Sequence, residues 1–322
     1  MRTIVAADIG GTHARFALAD IDASCVVSLS EPVKLKTAEH ASFQTAWEEF
    51  GRRQGIDLPH ELAMAFAGPV GGEVLKLTNN PWVIRKALMK ERLSVDRYTI
   101  VNDFGAVAHA VASLPQDQFE RVCGPDEPLP KQGMITVLGP GTGLGVAALL
   151  RRNGDYQVIE TEGGHIDFAP LDSLEDQILA SLRKSFRRVS IERIVSGRGL
   201  LNVYEALASI EGRAVEFHEE RPLWEAARNG VDSLASAALD RFCLTLGAIA
   251  GDLALAQGAH AAVIGGGLGF RLRDHLPRSG FRDRFIAKGR FERMMDDMPV
   301  KLITYAEPGL YGAAAAFARE HP

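Results

Sequence analysis

The chain has 322 residues, which at roughly 150 residues per domain favours two domains over one. Hydrophobic residues make up 46% and charged residues 24%, the balance of an ordinary globular chain, and this excludes intrinsic disorder and fibrous structure. A formal net charge of -5 and a pI near 6.0 exclude the basic footprint of a nucleic-acid binder. No apolar run approaches the ~20 residues needed to span a bilayer, and Asp8 breaks the short apolar N-terminal stretch, against a signal peptide. Three widely spaced cysteines, Cys25, Cys123 and Cys243, fit a reducing compartment and neither a disulfide framework nor a zinc ribbon. The composition points to a cytoplasmic enzyme.

Thr3 to Ile9 is a short β-rich run, Gly10-Gly11-Thr12 a turn, and Ala14 to Asp20 a second apolar run, which together read as a β-hairpin. Val26 to Leu29 and Val33 to Leu35 add strand candidates. Ser42 reads as an N-cap, followed by Phe43, Ala46, Trp47 and Phe50 at helical spacing, with Gly55 as the stop. Leu62 to Ala67 and Arg97 to Val101 are strand candidates, the latter running into Asn102-Asp103 and a helix over Phe104 to Ala112. Four prolines among charges mark 113–132 as a connecting segment. A second cycle then opens: Met134 to Leu138, a glycine-rich turn over Gly139 to Gly145, Val146 to Leu150 and Tyr156 to Ile159. Helices are expected near 174–186, 199–210 and 232–257. A strand over Ala261 to Ile264 ends in Gly265-Gly266-Gly267, and Val300 to Tyr305 and an Ala-rich helix over Leu310 to Arg319 close the chain. Both halves begin alike, so the expected architecture is two α/β domains facing each other across a cleft, 1–112 and 133–322, with the C-terminal helix free to return to the first.

The glycines of the first turn let a ligand approach consecutive amide N–H groups, and the Thr12 hydroxyl completes an anion nest. Asp8 beside it suits a Mg²⁺ held through water; the plainer reading is a hairpin turn beside an acid. The second turn holds four glycines and Thr142 in seven residues. No Lys follows it, so it is not a P-loop. Gly143, Gly145 and Ala148 match a dinucleotide fingerprint loosely, although Asn153-Gly154 suits a hairpin better than the helix such a fingerprint needs. Asp103, just past a strand end, reads either as a proton acceptor with Asn102 binding a neighbouring hydroxyl, or as the N-cap of the helix at Phe104. Glu162 and His165 have the spacing of a helical di-metal motif, but the intervening glycines disfavour a helix; they read as hydroxyl ligands or as a polar loop. Glu192 reads as a charge at a helix N-terminus. The stretch 271–293, with eight Lys/Arg against three Asp/Glu, reads as a solvated face.

Six segments together are recognisable: Asp8-Ile9-Gly10-Gly11-Thr12-His13-Ala14-Arg15, Leu77-Thr78-Asn79-Asn80-Pro81-Trp82, Asn102-Asp103-Phe104, Gly139-Pro140-Gly141-Thr142-Gly143-Leu144-Gly145, Glu162-Gly163-Gly164-His165-Ile166-Asp167-Phe168-Ala169-Pro170 and Glu192-Arg193-Ile194-Val195-Ser196-Gly197. In this order they resemble the bacterial glucokinases without a zinc-binding cysteine motif, within the actin-like sugar kinases. The resemblance implies two actin-like (ribonuclease-H-like) α/β domains with mixed β-sheets flanked by helices, and an active site in the interdomain cleft. It implies Asp103 as catalytic base for the sugar 6-hydroxyl, with Asn79, Asn102, Glu162, His165 and Glu192 on the sugar side. Asp8, Ile9, Gly10, Gly11 and Thr12, with Gly141, Thr142 and Gly143, match the turns that hold ATP phosphates, and Gly265, Gly266 and Gly267 the turn beside adenosine. Mg²⁺ near Asp8, a cytoplasmic homodimer, and glucose and ATP as substrates are implied as well, with no nucleic-acid or membrane partner. His13 departs from the Asn frequent after Gly-Gly-Thr in the family. Closure on sugar and a low sugar-independent ATPase rate are expected, because water competes as phosphoryl acceptor. The rival readings are an actin-like or Hsp70-like ATPase module without a sugar and, more weakly, a nicotinamide dehydrogenase.

Overall fold

The computed structural model describes residues 1–23, 25–77 and 80–322. The chain forms two compact units, Met1–Pro115 with Tyr305–Pro322, and Gln116–Thr304.

The first unit is built on β1 (Arg2–Ile9), β2 (His13–Asp22), β3 (Cys25–Leu29), β4 (Val33–Lys36), α1 (Phe43–Gln54), β5 (Glu61–Phe66), a small β6–β7 ribbon (Val74–Lys76, Val83–Arg85), α2 (Lys86–Leu93), β8 (Arg97–Asn102) and α3 (Asp103–Ser113). The C-terminal helix, Pro308–Glu320, belongs to it too. The sheet runs β3-β2-β1-β5-β8, with β4 also paired to β2. The first three strands are an antiparallel meander, and β5 and β8 continue parallel to β1. The period of two along β1 sorts its side chains between two layers. Val5, Ala7 and Ile9 pack with Phe43, Trp47 and Phe50 of α1. Ile4 and Ala6 pack with Leu310, Ala313, Ala314 and Phe317 of the C-terminal helix. Helix α1 begins as expected: Ser42 and Thr45 form a capping box, and Gly55 ends it in the left-handed region at φ 67°. The C-terminal helix lies against α3 with Gly312 at the closest point, where a Cβ would fall 1.7 Å from the Ala106 carbonyl oxygen.

The second unit contains β9 (Phe119–Cys123), β10 (Gly133–Pro140), β11 (Leu144–Arg152), β12 (Asp155–Thr161), α4 (Ser173–Leu182), α5 (Gly197–Glu211), α6 (Glu220–Asn229), α7 (Ser233–Gln257), β13 (Ala259–Ile264), α8 (Gly266–Arg271), α9 (Phe281–Ile286), α10 (Glu292–Asp296) and β14 (Val300–Ile303). Its sheet runs β12-β11-β10-β13-β14-β9. The first five repeat the order of the other sheet: an antiparallel meander, then two strands parallel to its first. Part of the proline-rich segment expected to connect the domains is β9, antiparallel to β14 at the sheet edge.

Two expectations are corrected here. Helix α7 is long and apolar enough by composition to cross a membrane, although no such run stood out in the sequence; the apolar window is 72% buried and packs against α5, α6 and α9, as a central core helix does. The basic stretch 271–293 is not simply a solvated face. Arg284 reaches Asp172 at 2.6 Å and Glu175 at 3.4 Å, and Lys288 pairs with Asp252 at 2.8 Å while its amine is nearly buried. Their acidic partners lie on α7, α4 and the turn before α4, which the local charge count cannot reveal.

Candidate active site

In the first unit, β1, β5 and β8 run parallel and adjacent, so their carboxyl ends and following turns collect at one edge of the sheet, where ligands bind in open α/β sheets. After β1 comes the Gly-Gly-Thr turn. The Gly10 N–H donates to the His13 carbonyl at 2.9 Å, and Thr12 is exposed at the tip. The Gly11 carbonyl is braced by the Thr37 hydroxyl at 2.7 Å and the Asn80 amide at 3.2 Å, while the Thr37 N–H donates to the Thr12 carbonyl. Asp8 shares the face of Ile4 and Ala6. Its register partner Arg15 donates to Asp8 Oδ2 at 3.0 Å and lies 3.5 Å from Glu307. Desolvation raises both carboxyls above their ordinary range, and the shared guanidinium pulls each back down. Desolvation, then Lys34, Arg15 and Lys36, lowers the His13 imidazole below its usual value.

After β8 the roles of Asn102 and Asp103 separate. Asn102 is the N-cap of α3: its Oδ1 accepts the Phe104 N–H at 2.9 Å and the Gly105 N–H at 3.2 Å. Its amide points to the Gly68 carbonyl, in the turn after β5, at 3.4 Å. Asp103 is therefore the first helical residue, and reading it as the cap is wrong. Its half-buried carboxylate accepts the Phe104 N–H at 2.9 Å. Asn79 lies outside the described residues.

In the second unit the turn after β10 repeats the first. The Gly141 N–H donates to the Gly143 carbonyl at 2.8 Å, Thr142 is exposed at the tip, and β11 starts at Leu144. A strand rather than a helix follows, which removes the dinucleotide fingerprint. The Gly265–Gly267 turn follows β13, parallel to β10. Gly265 N–H donates to the Leu138 carbonyl at 2.8 Å. Gly266 sits at φ +77°, where a Cβ would meet the Pro140 carbonyl oxygen at 2.6 Å, so only glycine fits.

Because β12 is antiparallel to β11, its carboxyl end returns to the same turn. Glu162 follows it, and Gly163–His165 is a short 3₁₀ turn, not the α-helix a di-metal motif would need. The Glu162 carboxylate and His165 Nε2 are 3.9 Å apart and both largely exposed, a paired acceptor and donor open to a ligand. Glu192 lies in the 3₁₀ turn Ile191–Arg193 rather than in a helix, and its Oε2 accepts the Leu144 N–H at 3.0 Å.

A family model described as Glucokinase matches residues 5–320. A curated glucokinase from Zymomonas mobilis is 64% identical over 318 residues, covering 99% of this chain and 98% of the relative. The chain belongs to the glucokinase family. The crystal structure of a glucokinase from an Antarctic psychrotroph superposes with a TM-score of 0.84 at 34% identity, covering 98% of this chain and 99% of that one. A ROK-family glucokinase from Streptomyces griseus, solved with glucose and AMPPNP, shares the fold at a TM-score of 0.65 and 21% identity, over 98% of this chain and 99% of that one. Family membership makes the chain a sugar-phosphorylating enzyme of the actin-like fold, and the ATPase-module reading is not favoured. Thr37, Asn80 and Glu307 also belong to the surroundings of the first turn, although no motif in the sequence assigns them to it. Asn80 alone carried a local signal, standing beside Asn79 in one of the quoted segments.

Proposed function

We propose that the enzyme transfers the γ-phosphoryl group of ATP to the 6-hydroxyl of glucose, with Asp103 as general base. The observation that carries this is the division of labour after β8: Asn102 caps α3, and Asp103, the first residue of α3 directly after the strand, holds a half-buried carboxylate that accepts the Phe104 N–H. Phosphoryl transfer asks mainly for positioning and charge neutralisation. From the first unit, Gly10, Gly11 and Thr12 offer N–H and hydroxyl donors to phosphate oxygens, and Asp103 accepts the proton leaving the attacking hydroxyl. From the second unit, Gly141, Thr142 and Gly143 offer a second set, Gly265–Gly267 accommodates the nucleoside, and Glu162, His165 and Glu192 bind sugar hydroxyls. Asn102 and Asn79 complete the sugar side.

Asp8 fits a Mg²⁺ that arrives on ATP, because such an ion keeps several waters and needs only one or two protein carboxylates. When bound it would neutralise charge on the phosphates. Arg15 holds the Asp8 carboxylate in place at the end of β1. We read the enzyme as cytoplasmic, in keeping with its three free thiols, and as a homodimer, as the family resemblance implies.

The test is a coupled kinase assay over a panel of hexoses and phosphoryl donors with a no-sugar control. Glucose with MgATP should give the highest kcat/KM. Asp103→Ala should stay folded and lose about 10²–10⁴-fold in kcat, the usual range for a general base. Turnover near wild type in that variant would remove Asp103 from the role.

A further inference from the structure

Glu192 has a second connection, to the glycine turn that precedes β11. Its Oε2 accepts the Leu144 N–H at 3.0 Å, directly after that turn. The same oxygen lies 2.3 Å from where a Cβ on Gly143 would stand. Gly143 is not among the positive-φ glycines, so the close approach of Glu192 accounts for the missing side chain better than backbone conformation does. The far side of the turn is held from the same segment: the Gly197 N–H donates to the Gly141 carbonyl at 2.8 Å. Ser196 ties the two grips together, its hydroxyl donating to the Glu192 carbonyl at 2.7 Å and accepting the Gly199 N–H at 3.0 Å. The segment Glu192–Gly197 thus clasps both ends of a turn whose glycines would otherwise leave it many conformations.

We infer that Glu192 is a positioning residue for the nucleotide as well as a sugar ligand. One carboxylate oxygen fixes the backbone of the Gly141–Gly143 turn in its phosphate-binding form, before any sugar is present. This rests on the proposed function, in which that turn holds ATP phosphates. A side chain that touches only sugar would leave nucleotide affinity unchanged when no sugar is there.

The experiment measures MgAMPPNP binding by calorimetry without sugar, for wild type, Glu192→Gln, Glu192→Asp, Glu192→Ala and His165→Ala. Glu192→Ala should weaken binding roughly tenfold, the effect of losing one charge-assisted hydrogen bond partly replaced by water. Glu192→Asp keeps the charge but is one methylene too short to reach Leu144, and should behave like Ala. Glu192→Gln keeps an acceptor at the right reach and should bind MgAMPPNP within about threefold of wild type, since a neutral acceptor still satisfies the N–H; its glucose KM should still be raised. His165→Ala should raise the glucose KM alone. Amide hydrogen exchange reports the contact itself: the Leu144 N–H should be protected in wild type and Glu192→Gln and exposed in Glu192→Asp. Wild-type nucleotide affinity in both Glu192→Asp and Glu192→Ala, with glucose phosphorylation intact in the parent enzyme, overturns the inference and leaves the proposed function standing. A parent enzyme that phosphorylates no sugar and binds no MgAMPPNP overturns both.

Discussion

Asn102 is assigned two tasks, capping α3 and touching sugar, and substitutions can pull them apart. Its Oδ1 satisfies two of the orphan N–H groups at the start of α3, those of Phe104 and Gly105. Asn102→Ala leaves both without that acceptor and should destabilise the first unit by about 1–2 kcal/mol, the range for a lost N-cap. With a urea m-value of about 2–3 kcal/mol/M for a unit of this size, the midpoint should fall by roughly 0.5 M. Trp47 and Trp82 report this unit by fluorescence, and Trp224 reports the other. Because two units need not unfold together, midpoints rather than extrapolated free energies are the quantity to compare. The frayed turn carries Asp103, so kcat should fall as well, by up to about 10²-fold if the carboxylate moves by an ångström. Asn102→Ser restores a good cap with a side chain too short to reach the sugar. Its midpoint and kcat should return close to wild type while the glucose KM stays about tenfold raised, the effect of one lost hydrogen bond. An unchanged midpoint in Asn102→Ala would refute the capping argument; a wild-type KM in Asn102→Ser would refute the sugar contact.

Three further outcomes are expected. Gly312→Ala places a Cβ 1.7 Å from the Ala106 carbonyl oxygen, a backbone atom that cannot rotate away; even after the gain of about 1 kcal/mol from removing a helical glycine, it should destabilise by about 2 kcal/mol, read as a lower urea midpoint in tryptophan fluorescence. Arg284→Met removes one of two guanidinium groups facing Glu175, which is 3% exposed; thermal denaturation should show a loss of about 3 kcal/mol, at the low end for a broken buried pair because Arg241 remains. Burial, helped by Arg319, lowers the His109 imidazole from 6.5 to about 4. A depressed folded value means its contribution is complete above the unfolded pKa near 6.5 and is lost as pH falls through the folded value near 4. Wild type should therefore lose about 3 kcal/mol over that window, and His109→Gln should flatten this part of the stability curve measured from pH 7.5 to 4.

What could be read from the sequence shares one property: its physical cause lies within a few residues. The helix α1 stripe, its Ser42 cap and Gly55 stop are local, and so are the two glycine turns. What could not be read depends on a partner chosen by topology. Thr37, Asn80 and Glu307 reach the first turn and its Arg15 from distant parts of the chain, and apart from the segment around Asn80 nothing near them marks that contact. The basic stretch 271–293 looked solvated because its acidic partners lie on other elements. Asp103 shows the same limit at the shortest range. Asn and Asp cap equally well by residue type; the sequence offers Asp103 for that place, and the geometry of the first turn of α3 gives it to Asn102.

The repeated sheet explains why the turns were nevertheless recognisable without any repeat in the residues between them. Each unit must reverse its chain at the same place, from the first strand of a meander into the second, and each presents the tip threonine to solvent with a buried residue two positions later, Ala14 or Leu144. Side chains elsewhere in the meander need only fill a core, for which many apolar residues serve. A turn that must offer bare amide groups has far fewer solutions, and glycine and threonine are among them. Under the proposed function, in which these turns bind phosphate through their backbone, residue identity is most constrained there. The proposed sugar role of Glu192 is suggested by its segment, whereas its hold on Leu144 is a backbone contact created only when β11 returns beside it.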